Sequence, residues 1–227
     1  MPPGGAVVWR SVIDAPAMAL MALATGASLR IGAKGQRLAM LVGLTQFCGN
    51  YNFVYEAEHH LTSGIVAVML SLLFVPNTLL GRVLLGQKTS GRFAVGSLIA
   101  IVGIGLLFAN EAQSGGIGGN VWLGVALAFG GMLAAAVANV VQANGTGRSI
   151  PMARLLAWAM AWGVGFDVVF ALTPAGPPVL PRDPAFWAGT AYLAIAGSVV
   201  TFPLYFGLVR NLGAGKAAYN GVLVVVL

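Results

Sequence analysis

Between Leu61 and Gly81 the chain runs for 21 residues without a charge. Crossing the roughly 30 Å of hydrocarbon in a bilayer takes a helix of about 20 apolar residues, so this stretch fits a membrane span. Similar stretches precede and follow it. A water-soluble protein of 227 residues would need a charged surface, yet charged residues make up 8% of this one. Ordinary globular domains carry about a quarter. Lipid offers backbone groups no hydrogen-bond partner, so spans are helices or a closed barrel. Barrel strands alternate polar and apolar over about ten residues. The runs here are longer and do not alternate. The predicted fold class is all-α, a polytopic transmembrane helix bundle.

Spans are expected at 6–28, 38–57, 62–84, 93–110, 120–143, 151–172 and 185–209, with a last one starting near 214. Turn residues separate them. Ser114 to Asn120 is a glycine-rich loop, Pro174 to Pro184 a stiff proline-rich one, and Asn144 to Gly147 a short one. Arg10 and the apolar Ala15 to Ala24 have the outline of a secretory signal. Asp14 inside that region and the many later spans argue against cleavage.

The charges then sort by connection. Arg30, Lys34 and Arg37 lie in the first, Arg82, Lys88 and Arg92 around the third, Arg148 and Arg154 around the fifth, Arg210 and Lys216 around the seventh. That is ten of the twelve basic residues on one side. Glu56, Glu58, Glu111 and Asp183 take the other side, with Arg182 the basic exception. Cytoplasmic loops carry the Lys/Arg excess. The odd-numbered connections are therefore expected inside, with the chain beginning outside, in a cell inner or plasma membrane. This placement accounts for the net charge of +6 without a nucleic-acid partner. The last span, from about Ala214 to Leu227, reaches only about 21 Å at 1.5 Å per residue. The chain is expected to be cut within a helix, and a start outside suggests a missing helix before it.

An internal echo accompanies this pattern. Glu58 to Leu72 and Arg210 to Leu223 each show a span end, a tiny turn of small residues and a span opening with small residues. The first turn faces out and the second faces in, as in the inverted repeats of secondary transporters. The stretch Leu61 to Phe108, with Leu61-Thr62-Ser63-Gly64, Ala67 to Ser71, Arg82 to Gly86 and Gly96 to Gly105, resembles the first repeat of the drug/metabolite transporter superfamily (EamA-type). Trp9-Arg10 is similar to the aromatic-arginine opening of that family's second helix. The resemblance implies ten helices in two inverted five-helix repeats with cytoplasmic termini. About eight of the ten would be present: residues 1–112 as a first repeat lacking its first helix, and 113–227 as a second repeat truncated in its fourth.

No nucleotide engine is visible. Gly81 to Gly86 is followed by Gln87, so the phosphate-loop pattern fails, and no His-Glu-x-x-His occurs. With Cys48 the lone cysteine, neither an intrachain disulfide nor a multi-cysteine metal site is available. No cofactor or metal is expected.

Asp167 falls inside the sixth span. An ionisable residue in lipid is a functional candidate, here for ion coupling, although a wet crevice or the nearby headgroups would also accommodate it. Arg10 and Asp14, four apart on one helix, read as a structural ion pair, with a charge switch as the alternative. Glu56, Glu58, His59 and His60 crowd the outer end of the second span. They read as a hydrated helix end, with proton coupling as the sharper alternative. Uncharged polar residues inside the spans suggest a substrate pathway. They are Gln46, Asn50, Tyr51 and Tyr55 on the second, Asn139 and Gln142 on the fifth, Ser198, Thr201 and Tyr205 on the seventh, and Tyr219 and Asn220 on the last. Each could equally join helix to helix, at about 0.6 kcal/mol per bond. Pro76 and Pro203 are expected helix breaks. Ala157, Ala161 and Gly165 form a small-residue ladder suited to close helix packing. Trp9, Trp122 and Trp187 mark outer interfaces.

The reading that follows is a secondary transporter of small polar metabolites or drugs, working by alternating access with export as the expected direction, and with lipid and a small solute as its partners. The alternatives are a non-transporting fragment or accessory bundle and, less favoured, a membrane-embedded enzyme. Oligomeric state is not legible.

Overall fold

A computed structural model describes residues 3–87, 91–113, 120–172 and 180–226. The described residues form helices joined by short connections, without strands. In chain order the helices are α1 (Pro3–Ala24), α2 (Ala33–Val42), the π-helical π1 (Gly43–Asn50) and α3 (Tyr51–Ala57). There follow α4 (Ser63–Ser71), α5 (Phe74–Leu85), α6 (Gly91–Gln113), α7 (Val121–Gln142) and α8 (Gly145–Ser149). Then come α9 (Met152–Leu172), α10 (Pro184–Tyr192), the π-helical π2 (Leu193–Val200), α11 (Thr201–Leu212) and α12 (Ala214–Val226).

Among the described residues, five stretches are long and apolar enough to cross a membrane: Gly5–Ala24, Ser63–Leu85, Val121–Gln142, Met152–Leu172 and Pro184–Leu212. The expected spans 38–57, 93–110 and the last are not among them. Residues 33–57 form one continuous helical run of sufficient length. It carries Gln46, Asn50 and Asn52, and so is more polar than a lipid-facing helix. The helix α12, at 13 residues, is short.

Local sequence explains the boundaries. Thr62, Asn120, Asn144 and Asp183 each accept a hydrogen bond from a backbone N–H of the turn that they open. These bonds cap α4, α7, α8 and α10. The expected short loop at Asn144 to Gly147 is thus the start of a helical turn. Lys88 and the loops at 114–119 and 174–178 lie outside the described residues.

Pro76 has no N–H for the Leu72 carbonyl. The span breaks there: the Leu72 and Leu73 amides reach back only three residues, to Met69 and Leu70, before α5 resumes. Pro203 likewise follows the wide turns of π2, and the Thr201 hydroxyl donates to the Ala196 carbonyl at 2.7 Å.

Glycines let π1 pack closely against α9. A Cβ on Gly43 would lie 2.5 Å from the Ala159 carbonyl, and one on Gly163 would lie 2.6 Å from the Phe47 Cβ. This corrects the expected Ala157–Ala161–Gly165 ladder. Ala157 is buried, but Ala161 is exposed and a Cβ on Gly165 would meet open space. Around the junction, Phe47, Leu155, Leu156, Met160 and Phe206 are fully buried.

Contacts also gather the connections into two ends. Arg154 donates to the Arg30 carbonyl, Trp158 to the Leu29 carbonyl and Arg210 to the Ile150 carbonyl, so basic connections meet at one end. At the other, His60 Nδ1 accepts from the Asn120 amide and Trp9 packs edge-on against Trp187 at 5.3 Å.

Candidate functional site

One helical turn of α1 supplies three polar groups to a buried junction. Arg10, Ser11 and Asp14 share the face that α1 presents to α3, α9 and π2. Arg10 Nη2 donates to the Tyr51 hydroxyl at 3.1 Å and the Ser198 hydroxyl at 3.2 Å. The guanidinium also lies 4.2 Å from the Tyr51 ring centroid, within cation–π range. Ser198 donates to Asp14 Oδ2 at 3.0 Å. Arg10 Nε approaches the same oxygen at 3.8 Å, so the expected ion pair forms, as a loose one. Beside it, Asp167 Oδ2 accepts from the Ser11 hydroxyl at 2.6 Å and Asp167 Oδ1 from the Asn52 amide at 2.8 Å. Asp14 and Asp167 are each 1% exposed.

The balance of charge is unusual. Arg10 is one cation facing two carboxyl groups. Asp167 is held by neutral donors alone. Arg10 Nε and Asp14 Oδ1 are buried with no hydrogen-bond partner. Burying charges with imperfect pairing costs several kcal/mol, so such a site persists in a fold only against that cost.

A second polar cluster lies toward the end where basic connections meet. Asn139 donates to Asn77 at 3.3 Å and to the Tyr205 hydroxyl at 3.3 Å. Asn77 donates to the Ala214 carbonyl at 3.2 Å. Arg210 Nε donates to Gln142 Oε1 at 3.0 Å. Asn139 Oδ1 and Gln142 Nε2 are buried and unpartnered.

The residues expected along one pathway therefore divide. Tyr51 and Ser198 join the Arg10 junction, while Asn139, Gln142 and Tyr205 form the second cluster. Gln46 donates to Asn50, and Asn50 donates to the Gly131 carbonyl of α7, so this pair joins helix to helix. Thr201 is exposed and bonded to its own helix, and Asn220 is exposed. Spacing of three and four residues put Ser198, Thr201 and Tyr205 on one face. The wider turns of π2 break that phase. The Tyr219 side chain lies outside the described residues. Glu56 and Glu58 are exposed at the end of α3, in keeping with a hydrated helix end.

Ser11, Asn52, Asn77 and Thr190 were not singled out from sequence, although all are buried. Ser11 carried a usable signal, since it lies on the same turn as Arg10 and three residues before Asp14. Tyr55 and Arg10 line an open crevice of about 260 Å³ between α1, α3 and α10, together with Ala6, Phe186, Thr190 and Leu193.

Residues 1–109 match the EamA-like transporter family. YedA of Escherichia coli K12, described as an uncharacterized inner membrane transporter, is 30% identical over 195 residues. That alignment covers 83% of this chain and 60% of YedA. YedA of E. coli O157:H7 matches to the same extent. The chain thus spans about 60% of the length of these curated relatives. No solved structure matches. From its apolar helices and these likenesses, the chain is a multi-pass inner membrane protein whose residues 1–109 carry a domain of the EamA-like transporter family.

Proposed function

We propose that the chain serves a secondary transporter that moves small polar metabolites or drugs by alternating access, in the direction of export. The observation that carries this reading is the Arg10 junction. It places two buried carboxyl groups and a guanidinium where α1 and α3 meet α9 and π2, helices from the two halves of the sequence. Ionisable groups inside a membrane protein mark pathways for ions or substrates. The transporter relative and the family of residues 1–109 support the same class.

The two halves, 1–112 and 113–227, are read as inverted repeats. In support, π1 and π2 are eight residues each and interrupt the second and the seventh expected spans. Those spans are five apart in order, the separation of equivalent helices in two five-helix units. Broken helices near the centre of each repeat are where such transporters bind. Asp167, having no cationic hydrogen-bond partner among the described residues, is the candidate for ion coupling, in preference to the exposed Glu56 and Glu58.

Reconstitution into proteoliposomes tests the reading. Flux of small metabolites is expected, falling at least about tenfold in Ser198→Ala and Asn139→Ala and unchanged in Thr201→Ala and Asn220→Ala. Asp167→Asn is expected to flatten the pH dependence of flux. No flux from this chain, alongside flux from a protein spanning the full length of YedA, would leave it a non-transporting bundle.

A further inference from the structure

We propose that the crevice between α1, α3 and α10 binds a small carboxylate with an apolar body, its oxygens held by Arg10 in competition with Asp14. This deepens the transporter reading and rests on it for its role, but not for its test.

The wall chemistry selects the ligand. Ala6, Phe186 and Leu193 give the crevice an apolar lining. Its polar side chains are Arg10, Tyr55 and Thr190. Arg10 is thus the only charge on the wall among the described residues, and it is positive. The volume of about 260 Å³ holds a molecule the size of a phenyl ring with a short acid chain, and not a nucleotide or a sugar phosphate.

Arg10 is prepared for such a ligand. A guanidinium offers five N–H donors in a planar fork that matches a carboxylate edge. The hydrogen bonds to Tyr51 and Ser198 both leave from Nη2. Nε is buried and unbonded, and its 3.8 Å approach to Asp14 is longer than a hydrogen bond, so Asp14 holds the guanidinium only loosely. Asp14 leaves Oδ1 unpartnered in turn. Asp14 does not line the crevice, whereas Arg10 does. A ligand carboxylate can therefore reach the guanidinium from the open side while Asp14 holds it from the buried side. The two anions then compete for one cation. Ser198, which accepts from Arg10 and donates to Asp14, keeps a bond to each as the balance shifts.

The groups that face this exchange are few. Asp167 from α9 adds negative charge behind Asp14, opposing an entering anion. Tyr51 and Tyr55 from α3 offer hydroxyls, and Cys48 of π1 is buried. Removing the charge of Asp14 takes away the competitor and part of the repulsion, so it should tighten anion binding rather than weaken it.

The test is calorimetric titration of the purified chain in a neutral maltoside detergent with 3-phenylpropanoate and with its uncharged amide. The acid is expected to bind about tenfold to a hundredfold more tightly than the amide, the scale of hydrogen bonds to a charged group. Arg10→Gln should abolish that preference. Gly189→Leu fills open space at the crevice wall and should block both probes without touching a charge. Asp14→Asn should tighten the acid several-fold, an outcome that a purely structural role for Asp14 would not give. Equal binding of acid and amide, or weaker acid binding by a monodisperse Asp14→Asn protein, overturns the proposal. Hexadecanoate is the third probe: if it alone binds, the site takes a lipid carboxylate, and the proposed water-borne ligand is wrong. Flux of other solutes without acid binding would leave the transporter reading standing and remove this one. Acid binding without flux would do the reverse.

Discussion

At the scale of single residues, the Arg10 junction controls most of the energetic risk. Arg10 does three things there: it offsets part of the Asp14 charge, bonds two hydroxyls and covers the Tyr51 ring. Arg10→Ala would strand Asp14, which is 1% exposed, without a cation. Breaking a buried pair from one side costs about 3–5 kcal/mol. The expected result is a large drop in melting temperature in detergent, and Arg10→Ala with Asp14→Ala should recover much of it. A double variant no more stable than Arg10→Ala would show that the pair is not coupled. Asp167 behaves differently because its partners are neutral. Asp167→Leu leaves the Ser11 hydroxyl without its Asp167 acceptor and the Asn52 amide with only its bonds to Cys48, at about 1–3 kcal/mol. Asp167→Asn keeps an acceptor and should cost less, as thermal melts of the two variants would reveal.

At the scale of elements, glycine and proline set how helices meet and break. Gly163 lets Phe47 of π1 close on α9, so Gly163→Ala must push the helices apart. Overpacking of that kind costs about 1–3 kcal/mol. Gly165→Ala, two residues on, faces open space and is expected to be neutral or slightly stabilising. Equal melting temperatures for the two variants would contradict this packing. The positions of these glycines show why the small-residue ladder misled. Four-residue spacing defines a stripe on α9, but a stripe does not say which side has a neighbour. The prolines were more legible, because a missing N–H acts within its own helix. Pro76 therefore marked a real break. The π turns were invisible, since no residue type specifies them, and Thr201, which follows π2, lies off the face that it was expected to share.

At the scale of the whole molecule, the bundle has two chemically different ends. At one end Arg154 donates to the Arg30 carbonyl and Arg210 to the Ile150 carbonyl, and at the other the Asn120 backbone amide donates to His60. Basic connections belong on the cytoplasmic side. Cys48, the lone cysteine, is buried, so single cysteines report on topology against a low background. Lys34→Cys and Arg148→Cys are expected to react with a membrane-impermeant maleimide only from the cytoplasmic side, and His59→Cys only from the outside. Labelling of Lys34→Cys and His59→Cys from the same side would overturn the orientation.

The sequence alone determined the solvent of this protein. Charge content and the length of apolar runs are sums along the chain, and a bilayer reads them without reference to any distant contact. Helical character, the proline break in the third expected span and the segregation of basic residues followed from the same local rules. Pairing was beyond it. That Arg10 would meet Tyr51 and Ser198, that Asn52 and Ser11 would hold Asp167, and that the candidate polar residues would split into two clusters depended on which helices touch and in what rotation. Those choices were made by close approaches such as Gly163 on Phe47 and by the added phase of π1 and π2. Each acts across the bundle rather than along the chain, so only the tertiary structure could decide them.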